Sequence, residues 1–497
     1  MADFPALALT ELLAGMTRRK TQGQRLVGLT CTPLAGGGHD LLYHLDHELT
    51  LETLRLTVDA MSPLPSLTPV YSAAFLAENE IQDLFGLRFQ GLTPDYQGRL
   101  YLEPTSKELP RPLPAPPAPA DEQRAETVAT TSATRPSATA RGSLIPFGPQ
   151  HPVLPEPLQL RLRVEDEIVV EALPTLGYVH RGLERLAASR DLHQMVQVVE
   201  RVCGICSAIH AQCYCQSLEG LLGVEPTDRA TYLRVAWGEL HRLHSHLLWL
   251  GLFADALGFE SLFMQFWRVR ERVMDINEAT AGNRVIISVN IPGGVRRDLN
   301  PEQIAMIRSE LDVVEGALRK IGPVLLDDYT TRRRTEGKGV LTRGQALELG
   351  AAGPTLRASG VAQDMRQQGY AAYGRLEFEP VVETAGDSLA RCRVRYRECL
   401  QSIGLVRQAL TKLPAGELAA PYKGRPTGEI VTRVEQPRGE CLYYLKANGT
   451  KHLDRLRIRT PTFANIPALA AMLPGVELAD VPVITLSIDP CMSCTER

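Results

Sequence analysis

The chain has 497 residues, of which 54 are basic and 57 acidic, giving a formal net charge of −3. With 44% hydrophobic and 22% charged residues it is an ordinary globular chain, not a disordered or collagen-like one, and its near-neutral balance gives no whole-chain attraction for nucleic acid or an anionic membrane surface. Ten cysteines are too few for a disulfide scaffold, so their spacing matters more than their number.

The N-terminus carries acids and no basic segment ahead of its apolar stretch, which is not the pattern of a secretory signal; Arg18-Arg19 precedes polar residues and reads as a solvated face. Residues 25–33 and 41–46 read as strands around the turn-rich segment 35–40, a hairpin pattern. Residues 51–61 alternate as a strand or short helix, and 72–84 have helical spacing, with Phe75, Leu76, Ile81 and Leu84 apolar. This predicts a small α+β N-terminal domain over 1–105. Residues 106–142, opening with a polyproline-like run from Pro110 to Pro119, have the composition of a linker.

The remainder, 143–497, begins with strand alternation over 158–172 around a turn at 165–167. Helical patterns follow over 182–199, 228–258, 260–279, 301–321 and 387–412, and short strands over 428–434, 441–446 and 453–459. The prediction is a large, mainly α-helical C-terminal domain with small peripheral β-sheets. The most apolar stretch, 246–260, is interrupted by Asp255 and is too short to span a bilayer, so it reads as a buried core helix. A cytosolic protein with reduced thiols follows, touching a membrane only through partners.

Two Cys-x-x-Cys pairs stand out, Cys203/Cys206 and Cys491/Cys494. Such a pair puts two thiolates on one side of a tight turn, and thiolates are soft ligands suited to zinc, copper(I), nickel or iron–sulfur clusters. Zinc ribbons place their pairs within a few tens of residues, whereas 284 residues separate Cys206 from Cys491. Spacing alone leaves open whether the pairs share one metal or are unrelated.

The flanks carry more. Arg201-Val-Cys-Gly-Ile-Cys-Ser-Ala-Ile-His210 and Asp489-Pro-Cys-Met-Ser-Cys-Thr-Glu-Arg497 resemble the paired nickel-binding motifs of the [NiFe] hydrogenase large subunit. Arg497 stands where most of that family has His, as in the energy-converting, complex I-related branch. Segments 145–157, 177–184, 239–251 and 291–294 are similar to that branch, in order, and 78–87 resembles the signature of the 30-kDa subunit of respiratory complex I, with Asn79 in place of its central Arg. The fusion of 30-kDa-like and 49-kDa-like units resembles the large subunit of formate hydrogenlyase.

The resemblance implies an Ni–Fe centre with CO and CN ligands on iron. Cys203 and Cys491 would be terminal nickel ligands, and Cys206 and Cys494 would bridge the metals. It implies a catalytic set of Cys491 as proton acceptor, Glu156 as first relay carboxylate, Arg438 in Pro437-Arg438-Gly439 as a fixed cation over the metals, and Asp489 paired with Arg438. Arg is suited because it stays charged when desolvated. Glu184 is a second carboxylate candidate, expected to be structural or to lie further along the path. His241, His244 and His246, on a largely apolar helix, read as core residues, Cys213 and Cys215 as packed free thiols, His151 and His180 as structural neighbours of the site, and Arg332–Arg334 as a solvated face or partner contact.

No ferredoxin-type cysteine run, dinucleotide fingerprint or P-loop is present, so electrons must leave through partners. The resemblance implies a hydrogenase small subunit with a [4Fe–4S] cluster, ferredoxin-like iron–sulfur subunits, complex I-like membrane subunits and formate dehydrogenase, with the assembly on the cytoplasmic face of the inner membrane. The small N-terminal unit would be a docking module. Two other readings stand beside this one: a complex I-type quinone-site subunit without metal, a branch from which the cysteine pairs are lost, and a non-enzymatic scaffold with an inert four-thiolate zinc.

Overall fold

The computed structural model describes residues 4–59, 63–101 and 142–497. The predicted linker, apart from Gly142, and the boundary at residue 105 lie outside the described residues.

In the N-terminal part, strands Arg25–Pro33, His39–His47 and Thr50–Val58 form an antiparallel meander. The segment left open between strand and helix is the third of these strands. Its turn partner requires glycine: Gly38 has φ +79, and a Cβ there would lie 2.6 Å from the Val58 carbonyl oxygen. Helix Ala74–Phe85 packs on the first strand and ends at Gly86, φ 76. It is buried nearly all round, including Glu78, Asn79, Glu80 and Asp83. A helix with charges on every side can be buried that way only if each charge meets a partner.

The C-terminal part opens with the antiparallel sheet Ser143–Phe147, Gln159–Glu165 and Ile168–Thr175. Four long helices follow and pack in a ring: Asp228–Ala256, Glu260–Ala281, Pro301–Asp327 and Ser388–Thr411. Three of their starts are capped by side chains of Thr227, Asn300 and Asp387, with Gln303 completing a capping box and Pro301 at the first helical position. The apolar run within 246–260 ends helix Asp228–Ala256 in the bundle core, and no described helix is long and apolar enough to cross a membrane. The single helix expected over 182–199 is instead two, Leu183–Leu186 and Leu192–Glu200, because Asp191 is extended and its side chain caps the second by accepting from His193 N. A further helix, Ser207–Leu222, starts immediately after Cys206. Strands Thr427–Gln436, Gly439–Asn448 and Leu453–Arg459 form a second meander, followed by helices Pro461–Met472, Val481–Ser487 and the single turn Met492–Thr495. The fold is thus a small α+β part and a larger, mostly helical part with small sheets.

The two parts share one core: Leu41, Tyr43 and Leu76 belong to the same cluster as Leu160, Phe463 and Met492. They also share buried charges. Arg25 pairs with Asp46 at 3.3 Å and with Glu440, while Arg459 reaches Glu440 at 3.1 Å and Arg433 reaches both Asp46 and Glu440. The N-terminal unit, expected to dock other subunits, is docked first on its own chain.

Candidate metal centre

The first cysteine pair lies where helix Ser207–Leu222 begins, and the second opens the turn Met492–Thr495. Cys203 Sγ accepts from Ile205 N at 3.3 Å, and Cys491 N donates to Thr462 Oγ1 at 3.2 Å. These local bonds aim the two turns at each other. Cys203 Sγ and Cys491 Sγ are 3.4 Å apart, and Cys206 Sγ and Cys494 Sγ 3.5 Å. The sulfurs of Cys203, Cys206 and Cys494 all lie within 4.8 Å of one another, and all four cysteines are buried.

Burial pushes the Cys206 and Cys494 thiols up, whereas hydrogen bonds from Cys206, Cys491 and Cys494 hold Cys203 down. The Cys206, Cys491 and Cys494 thiols are thus all raised and only Cys203 is lowered. Four buried sulfurs of this kind fit a soft cation, which would replace the missing protons.

Arg438 sits in the two-residue turn between paired residues Gln436 and Gly439. The turn is tight against segment 352–353: a Cβ on Gly439 (φ +130) would lie 2.5 Å from Gly353 N. Arg438 Nη2 lies 2.7 Å from Asp489 Oδ1, Nε donates to the Asp489 carbonyl at 2.9 Å, and Nη1 reaches Ser245 Oγ at 3.4 Å. Burial works against its charge, but Asp489 and the Cys491 and Cys203 sulfurs outweigh this and keep the guanidinium protonated. Asp489 is held at φ 57, an uncommon backbone state for a residue other than glycine.

Glu156, half-buried, accepts from Ser493 N at 2.8 Å through Oε2, and Ser493 Oγ donates to Oε1. It therefore caps the turn between Cys491 and Cys494. Glu184 lies elsewhere, in a cluster of arginines: it accepts from Arg455 Nη1 at 2.7 Å, Arg497 Nε at 2.9 Å and Ile458 N at 2.9 Å. His151 Nδ1 accepts from Val153 N at 3.3 Å, and His180 Nδ1 donates to the Glu496 carbonyl at 2.6 Å.

The helix histidines are core residues. His246 Nε2 meets Glu398 Oε2 at 2.9 Å and His244 Nδ1 accepts from Arg270 Nε at 3.0 Å; burial lowers the pKa of all three, His241 to about 4. Cys213 and Cys215 are buried thiols, the former 3.7 Å from the Thr432 carbonyl. Arg332 and Arg333 are exposed, and Arg332 pairs with Glu336.

Sequence reasoning passed over His210. Its Nε2 lies 3.5 Å from Cys494 Sγ and its Nδ1 2.7 Å from Tyr443 Oη, and burial lowers it to about 4, so it is neutral. Its position four residues after Cys206 on a helix puts both on one face and could have identified it. Ser493 and Thr462, which fix the second pair, had no sequence signal.

Three family models match the chain: the 30-kDa subunit of respiratory-chain NADH dehydrogenase over 6–113, the nickel-dependent hydrogenase over 181–254, and the 49-kDa subunit of respiratory-chain NADH dehydrogenase over 256–425 and 421–497. Among curated relatives, the carbon monoxide-induced hydrogenase of Rhodospirillum rubrum is 44% identical over 71% of this chain and 99% of its own length. Formate hydrogenlyase subunit 5 of Escherichia coli is 34% identical over 93% of this chain and 82% of its own. The C/D polypeptide of the NADH-quinone oxidoreductase of Phocaeicola vulgatus is 31% identical over 98% of both chains.

Proposed function

The chain belongs to the family that joins the large subunits of complex I-related hydrogenases with the 49-kDa subunits of complex I, here with the 30-kDa unit fused to it, and on that premise we propose that it is the catalytic large subunit of a membrane-associated [NiFe] hydrogenase. The observation that carries this reading is the set of four buried sulfurs meeting as two facing pairs at 3.4 and 3.5 Å. The NADH-quinone oxidoreductase relative favours a second reading, a quinone-site subunit without metal; that reading leaves the four sulfurs without a purpose.

Cys203, Cys206, Cys491 and Cys494 would together hold an Ni–Fe centre whose iron bears CO and CN. Such a centre supplies the reversible splitting of H2 into protons and electrons. The protein's own groups do the rest. Cys491 Sγ takes up the proton. Glu156, bound to the same turn through Ser493, passes it towards solvent. Arg438 keeps a fixed positive charge beside the sulfurs, and its ion pair with Asp489 fixes where that charge stands.

Residues 1–105 would form the docking unit, 106–142 the linker and 143–497 the catalytic domain. Electrons would pass to a small subunit with a [4Fe–4S] cluster, then to ferredoxin-like subunits. Complex I-like membrane subunits would keep the assembly on the cytoplasmic face of the inner membrane. The fused architecture favours H2 evolution linked to formate oxidation.

The test is the nickel, iron and zinc content of the purified native complex, measured with H2-dependent dye reduction. Stoichiometric nickel with activity is expected. Zinc alone, or a metal-free protein with quinone-linked activity, would overturn the reading.

A further inference from the structure

We propose that Glu80, a residue of the N-terminal unit, is a positioning residue for the second cysteine pair: it pins the chain segment that carries Cys491 and Cys494. Glu80 Oε1 lies 2.5 Å from Arg497 Nη2, and Oε2 2.5 Å from Arg457 Nη2, all three residues being buried. Arg457 belongs to strand Leu453–Arg459 of the C-terminal sheet. Glu80 therefore ties the segment after Cys494 to that sheet from across the interface between the two parts.

The segment needs such ties. A single turn of helix, Met492–Thr495, has too few internal bonds to hold its own shape. Its carbonyls are instead captured one by one. Thr460 Oγ1 donates to Cys494 O at 2.9 Å, Arg497 Nη1 and Tyr101 Oη to Thr495 O at 2.6 and 3.3 Å, and His180 to Glu496 O. Two of these anchors come from the N-terminal unit or depend on it. Tyr101 stacks on His180, with ring centroids 5.1 Å apart and planes 5° from parallel, and its own N donates to Asp83, three residues along the helix from Glu80. Arg497, whose guanidinium also packs over Phe463 at 4.9 Å, is fixed by Glu80 on one side and Glu184 on the other. A guanidinium held between two carboxylates is oriented as well as neutralised. Removing Glu80 leaves Arg455, Arg457 and Arg497 to share Glu184 and frees one side of the turn.

That the pinned thiols are metal ligands rests on the proposed hydrogenase function; that Glu80 pins them does not. The experiment separates the two. In the purified complex, amide hydrogen exchange is followed by mass spectrometry in the unaltered protein and in Glu80→Gln, Glu80→Asp and Tyr101→Phe, alongside the rate at which a chelator removes nickel. Glu80→Gln is expected to speed exchange over 491–497 by about tenfold or more and to speed nickel loss. Glu80→Asp should recover part of both, and Tyr101→Phe should produce a smaller rise in the same segment. If Glu80→Gln does not fold, Glu80→Asp, which keeps the charge and shortens its reach, decides the matter by its rise over 491–497. Unchanged exchange over 491–497, or a rise spread equally over the interface strands 427–448, would overturn the proposal. Faster exchange over 491–497 in a protein that never held nickel would support the pin and overturn the hydrogenase reading.

Discussion

Arg438 and Asp489 are joined at two points, side chain to side chain at 2.7 Å and side chain to backbone carbonyl at 2.9 Å. The hairpin turn is thereby locked to the backbone two residues before Cys491. A lysine at 438 keeps the charge but offers one point donor in place of a planar fork. Arg438→Lys is therefore expected to keep its metal content and lose turnover by about a hundredfold, the scale of one misplaced electrostatic donor. Equal loss of metal and activity would show that the arginine holds the centre together instead.

Asp489→Ala acts differently. It leaves the buried Arg438 guanidinium without its counter-charge, a change that costs about 3–5 kcal/mol. A marked drop in the thermal unfolding midpoint is expected, together with reduced nickel content. An unchanged midpoint would mean that the sulfurs alone suffice to compensate Arg438.

Cys494→Ala should abolish metal assembly, whereas Cys213→Ala, in a thiol that faces the Thr432 carbonyl and not the sulfur cluster, should leave nickel and iron unchanged. Metal analysis of the two purified variants distinguishes a four-sulfur site from a looser thiol pool.

Glu156→Gln preserves an acceptor for Ser493 N, so the turn and its metals should stay in place. An amide cannot take up and release the relayed proton. Hydrogen/deuterium exchange activity is expected to fall by about a hundredfold, the lower range for loss of a general acid–base group. Normal exchange would remove Glu156 from the proton path and leave it as a cap.

Glu78 predicts a pH dependence away from the four cysteines. It is fully buried, accepts from Leu67 N at 2.7 Å, and burial pushes its carboxyl from the ordinary 4.5 up to about 7. Between those values the folded protein keeps a proton that the unfolded chain has released, so stability falls as pH rises through the window. Glu78 contributes about 1.4 kcal/mol per pH unit to that slope. Glu78→Gln should flatten it, as read from thermal unfolding across the window; identical slopes would show that Glu78 ionises alike in both states.

The long helices could be read from the sequence because their helical patterning is local; at three of the four a capping side chain, Thr227, Asn300 or Asp387, also marks the start. The cysteine pairs could be read for the same reason. Helix Ser207–Leu222 could not, since it is buried on nearly every side and so lacks an apolar stripe. Nor could the break before Leu192, where one aspartate outweighs the helical spacing around it. Arg25, Asp46, Glu80 and Glu440 look in sequence like solvated charges. Only the tertiary fold makes them buried partners, joining the N-terminal part to the C-terminal one.

In each facing sulfur pair the two cysteines are 288 positions apart. A chain grows from its N-terminus at roughly 5–20 residues per second, so Cys203 and Cys206 exist on the order of tens of seconds before their partners are made. During that interval they are a bare dithiol, which on the proposed function would be half of the coordination shell, with little to distinguish one soft metal from another. Discrimination among metals would then belong to the moment when Cys491 and Cys494 fold over the first pair. On that reading the fold would set a time for metal choice as well as a place, and a cell that supplied the wrong ion at that moment would fill the site wrongly whatever its steady-state metal balance.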